Sequence, residues 1–200
     1  MQALKIFNIL LNGTLYMNNF IQSLNHSLAT ENWYAAITLA LTLPDICASI
    51  DRPGQKISRE RYAEWFDKYV GDRYIMNVND RKHIFMNGDD LYSLRCAVLH
   101  QGISKIDTPK ENNRVKGKFI FHHSKVVTMH KLCHPESRSI LIEIKIFCED
   151  IIFGVSKWNS EVIADKDDRR KNLISGLMTL HLPDQYHGNI IFAQINNPFA

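Results

Sequence analysis

Apolar positions recur at near-helical spacing through the first half of the chain. Leu15, Phe20, Leu24 and Leu28 predict a first helix from Thr14 to about Leu28. Thr30 is expected to cap a second helix, with Glu31 in its first turn. The run from Trp33 to Leu43 is rich in Ala and Leu and almost uncharged, the pattern of a central core helix. Pro44 falls inside it and is expected to kink the helix, or to end it with a fresh start at Asp45. Asp51 to Gly54 forms a turn, and Ser58 caps a third helix from Arg59 to Val70. Tyr62, Trp65, Phe66 and Tyr69 are its aromatic stripe, expected in the core. Residues 71–88 are irregular and polar. Asp89 or Asp90 then caps a fourth helix, whose buried stripe is Leu91, Leu94 and Val98 and whose stop is Gly102.

Beyond Gly102 the pattern changes. Residues 105–116 are polar and charged, and three short strands follow at Phe119–Phe121, Val126–Met129 and Ser139–Phe147. From about Glu149 the spacing is helical again to Ala164, and Asp165 to Asp168 open a last helix near 167–180. The expected architecture is mainly α: a single domain over 1–200, with core helices at about 14–102 and 149–180. A small antiparallel β insertion occupies about 117–147. Trp33, Trp65 and Trp158 lie on apolar helical faces and are expected in the core.

Composition fits that picture. The 200 residues are 45% hydrophobic and 22% charged, enough for a real core and unlike a disordered chain. A net charge of +3 permits a polyanionic partner without implying one. Cys47, Cys96, Cys133 and Cys148 form no CxxC pair and point to reduced thiols in a cytoplasmic protein. Asn8 and Asn12 interrupt the apolar start, no small-x-small cleavage site follows, and no stretch reaches the roughly 18 apolar residues of a membrane span. No membrane partner is expected.

The fourth helix carries the chemistry. Arg95 and His100 are separated by four residues on a helix with acidic residues at its start and a glycine at its end. The stretch Asp89 to Gly102, including Leu94-Arg95 and His100-Gln101-Gly102, resembles the Arg-x4-His block of the HEPN superfamily of helical-bundle domains. The resemblance implies a HEPN-like helical bundle working as a homodimer. It implies a metal-independent RNA endonuclease of the toxin or antiviral, phage-defence type, with RNA as substrate, an antitoxin or other partner protein, and no cofactor. Such cleavage needs a base for the 2′-hydroxyl, an acid for the leaving 5′-oxygen and a cation on the phosphoryl oxygens. The resemblance assigns His100 as general acid or base and Arg95 as phosphate clamp; Tyr92, Gln101 and Lys105, beside the pair, are expected as substrate-binding residues. The same fold also serves as a non-catalytic interaction or nucleotide-binding module that scaffolds a larger system.

Helix geometry adds detail. Positions five apart differ by about 140° around the axis, so Arg95 and His100 are not expected to stack on each other. Cys96 lies one turn below His100 on its own face and supports it only weakly, a thiol being a poor hydrogen-bond partner. Asp45, beside Pro44, is a candidate to project into the bundle and pair with Arg95.

Two further clusters stand out. Lys105, Lys110, Arg114, Lys116, Lys118, Lys125 and Lys131 face only Asp107 and Glu111, with Phe119 and Phe121 interleaved. That is either an RNA-tracking surface or a solvated loop with a lysine-protected edge strand. His122, His123, His130, Cys133 and His134 match no closed metal spacing and are expected as exposed turn residues, with no metal bound.

Overall fold

The computed structural model describes residues 17–55, 58–105, 117–126, 129–134, 136, 139–165 and 168–178. The protein is mainly helical with two small sheets. Helix α1 occupies 17–29 and buries Met17 and Leu24. Helix α2 spans Trp33–Asp51 and α3 spans Arg59–Tyr69. A 3-10 turn, Gly71–Tyr74, leads into strands β1 (Ile75–Val78) and β2 (Arg81–Ile84). Helix α4 is Gly88–Gln101. Strands β3 (Lys118–His122), β4 (Leu132–His134) and β5 (Ser139–Glu143) precede α5 (Ile144–Ala164) and α6 (Asp168–Ser175).

The cap of α2 is Asn32 rather than Thr30. Glu31 takes a left-handed φ of 56°, which keeps the chain non-helical until Trp33. The Asn32 side chain accepts from Ala35 N, while the Thr30 hydroxyl donates back to His26 O and closes α1. Pro44 does not divide α2. The Tyr62 hydroxyl donates to Leu41 O at 2.9 Å, adding a donor in the turn where the proline ring removes an N–H. Helix α2 is the one described helix apolar and long enough to cross a membrane, with a mean hydropathy of 1.4. It packs on α3, α4 and α5, the arrangement of a core helix.

Residues 71–88 are not irregular. Asn79 and Asp80 both take left-handed φ, at 48° and 60°, and close β1 and β2 into a two-residue hairpin. The cap of α4 is Asn87, two residues before Asp89. Its side chain accepts from Asp90 N at 2.9 Å, and the Asp90 carboxylate accepts from Asn87 N at 3.1 Å. A Cβ on Gly88 would lie 2.2 Å from Ala63 O, so only glycine lets α3 and α4 approach this closely. Gly102, at φ 68°, ends α4 and donates to Val98 O.

The β insertion is mixed rather than antiparallel. β5 lies in the middle, parallel to β3 and antiparallel to β4. Val126 and Met129 lie outside any strand, 127–128 fall outside the described residues, and the strand in this region is β4. The third expected strand ends at Glu143, whose side chain accepts from Ile146 N at 2.7 Å and starts α5. From there Ile144, Phe147, Cys148 and Ile151 are buried at helical spacing. The helix expected at 167–180 is α6, which ends at Ser175; 167 and 179–180 lie outside the described residues. Trp65 and Trp158 are core residues. Trp33 is half-buried and stacks on His123 with ring centroids 4.1 Å apart.

Candidate functional site

Arg95 leaves α4 toward α2 and meets Asp45 in the turn after Pro44. Asp45 Oδ2 accepts from Arg95 Nε at 2.8 Å and from Nη2 at 2.7 Å. The contact is mostly desolvated, the side chains being 22% and 11% exposed. One carboxylate oxygen therefore takes both donors, and the buried Oδ1 has no partner among the described residues. Burial holds the Asp45 carboxyl above its usual range, against the pull of Arg95. Burial also works against the Arg95 charge, but Asp45 and the Cys96 sulfur outweigh it and the Arg95 pKa rises. Arg95 is thus a fixed, permanent cation.

The remaining donor, Arg95 Nη1, points along the helix to His100 Nε2 at 3.0 Å. The two side chains do not diverge as their spacing on the helix predicts. Five residues separate their Cα atoms by about 7.5 Å along the axis, and the long arginine stem, anchored by Asp45, spans the gap. A guanidinium has donors only, so in this contact His100 Nε2 is the acceptor. His100 is exposed, so a ligand approaching this end of α4 meets the imidazole and the guanidinium together. Cys96 Sγ lies 4.0 Å from Arg95 Nη1.

Tyr92 is half-buried one turn before Cys96, and its ring meets Tyr62 edge-on at 5.6 Å. Hydrogen bonding to Cys96 and burial push the Tyr92 hydroxyl above its usual value. The structure therefore gathers Asp45, Tyr92, Arg95, Cys96 and His100 around one helix face. Gln101 and Lys105 are exposed beyond it, and Lys105 forms a backbone bridge to Lys118. Tyr62 is the residue that sequence reasoning missed. It is fully buried and bridges α2 to the Tyr92 ring, and its place in the aromatic stripe marked it only as core.

The basic segment divides. Lys110, Arg114 and Lys116 lie outside the described residues. Lys125 pairs with Glu31 at 2.7 Å, and Lys131 donates to Arg73 O and lies over the Tyr74 ring. Phe119 is buried, so it offers no face to a base. These contacts hold the insertion to the helical body. Nor are the neighbouring histidines free turn residues. His122, His123 and His130 are half-buried, while His134 is exposed. Among the described residues no three His, Cys, Asp or Glu side chains gather to hold a metal ion. The chain matches no family model, no curated protein and no solved structure.

Proposed function

We propose that this chain is a HEPN-like, metal-independent RNA endonuclease of the toxin or phage-defence type, and that Arg95 and His100 are its reacting pair. The observation that carries the reading is the 3.0 Å contact between Arg95 Nη1 and an exposed His100 Nε2, with Arg95 anchored from behind by Asp45. A phosphodiester at this end of α4 takes Arg95 on a non-bridging oxygen, where charge grows as the 2′-oxygen attacks. The P–O5′ bond breaks, the 2′-hydroxyl loses its proton and the leaving 5′-oxygen gains one. His100 supplies one of these transfers. A second copy of the chain supplies the other, so the working unit of this reading is a homodimer, held in check by a partner protein.

The test is cleavage of labelled RNA by the purified full chain in EDTA. Wild type cuts, and His100→Ala and Arg95→Ala each lose about 10²–10⁴-fold in rate. Wild type and His100→Ala that are equally inert, or equally active, overturn the reading.

One observation favours a second reading. The Asp45 carboxylate already occupies two Arg95 donors, which suits a tie between α2 and α4 in a non-catalytic interaction or nucleotide-binding module. An inert wild type whose Arg95→Ala variant is markedly less stable selects this alternative.

A further inference from the structure

Among the described residues the β1–β2 hairpin pairs only with itself, and all four residues of β2 are exposed. Its left-handed Asn79-Asp80 turn fixes the twist. The register sets Met76 opposite His83, with Phe85 two residues further along the same face. His83 and Phe85 meet edge-to-face with centroids 4.6 Å apart, and Met76 is 47% exposed. Met76, Asn79, Arg81, Lys82, His83 and Phe85 line an open groove of about 840 Å³.

Most arginines of the helical body are neutralised by a neighbouring acid, and the cations beside this groove are not. Arg52, Arg59, Lys68, Arg73, Arg95 and Arg170 each pair with a carboxylate. Arg81 and Lys82 form no ion pair among the described residues, and Asp80 is the only acid between 75 and 84. We infer that this groove, which Arg81 lines from the Met76–His83 face and Lys82 from the hairpin's other side, is a docking surface for a single-stranded nucleic acid. The inference goes beyond the proposed reaction of Arg95 and His100 and stands without it.

Two unpaired cations meet successive phosphates, while His83, Phe85 and Met76 give unstacked bases an apolar, aromatic seat. An acidic peptide satisfies the cations and leaves that seat uncovered. A duplex keeps its base faces stacked and unavailable. The chemistry therefore selects a flexible single strand.

The test uses the full chain carrying His100→Ala, so that RNA stays intact, with a fluorescein-labelled single-stranded RNA read by anisotropy over a salt series. The charge-reversed variant Arg81→Glu/Lys82→Glu binds at least tenfold more weakly. Its log K against log salt is shallower by about 1.4, the slope of two phosphate contacts on a single strand. His83→Ala weakens binding several-fold with the slope unchanged. Circular dichroism confirms that each variant is folded. Unchanged affinity and slope on charge reversal overturn the inference, as does a parent chain that binds no RNA. Poly-glutamate that binds as tightly and is lost equally on charge reversal also overturns it and points to an acidic protein. Cleavage by the wild-type chain is scored separately, so the hairpin and the Arg95–His100 pair can fail independently.

Discussion

Arg95 is held between a buried acid and an exposed base, and the two partners of its ion pair are not equivalent. The Asp45 carboxyl is raised because burial outweighs the attraction of Arg95. Losing the charge at Asp45 therefore costs little, since Arg95 is partly exposed and rehydrates. Losing Arg95 leaves a buried carboxylate with no cation. Asp45→Asn should lower the unfolding free energy by less than about 1 kcal/mol, and Arg95→Met by about 1–3 kcal/mol, both measured by urea denaturation. In Arg95→Met the Asp45 pKa rises further above its unfolded value. That group then contributes stability at low pH, and the contribution is lost as pH rises through its folded pKa. The reverse order of the two costs would show that Asp45, not Arg95, is the group that depends on the pair.

At the scale of elements, α4 depends on how it starts. Gly88 sits where any Cβ would strike the Ala63 backbone, and backbone cannot rotate away. Gly88→Ala should destabilise by about 2 kcal/mol or more, while Asn87→Ala, which removes one arm of the capping box, costs about 1 kcal/mol. A thermal melt in which Gly88→Ala is the milder change would contradict this packing. The stop of α4 at Gly102, the buried stripe of α3 and the helix beyond Glu149 are legible in sequence, because apolar periodicity is a local signal, whereas the first turn of α5 reads as strand. The hairpin is not, because its exposed strands carry Asn, Arg, Lys and His without alternation. The true caps Asn32 and Asn87 are masked by Thr30 and by Asp89 and Asp90, which look as good, and only the left-handed Glu31 decides the first case. The parallel pairing of β3 with β5 is a long-range choice that no short window encodes. The same holds at the candidate site. Motif spacing marks Arg95, Cys96 and His100, and the proline marks Asp45. The Arg95–His100 contact follows instead from where a neighbouring helix pulls the arginine stem.

For the molecule as a whole, the question is what locks the β unit onto the helices. His123 Nδ1 lies 3.1 Å from Glu143 Oε1, and Trp33 of α2 stacks on its ring. Glu143 N donates to His130 Nδ1 at 3.2 Å. His130 Nε2 faces Asp150 Oδ2 at 3.9 Å, and Asp150 pairs with Arg73. Lys131 and Tyr74 close the other side, and the buried Tyr74 hydroxyl and the Asp150 carboxylate face each other there. His130 is therefore the hinge of the lock: its Nδ1 must keep a lone pair to accept the Glu143 N–H. Burial, reinforced by Lys131 and His122, lowers its pKa to about 4, and the opposing pull of Asp150 and Glu143 does not compensate. The unfolded chain takes up this proton near pH 6.5 and the folded chain resists it until about pH 4. The stability this group contributes is complete above about pH 6.5 and drains away as pH falls toward 4, by an amount of order 3 kcal/mol. Acidification also neutralises carboxylates, so the comparison that isolates the histidine is His130→Gln. That variant should be less stable than wild type at pH 7 and should lose less on acidification, so that the two urea midpoints converge near pH 4. Parallel pH profiles for wild type and His130→Gln would place the acid sensitivity elsewhere and remove His130 from the lock.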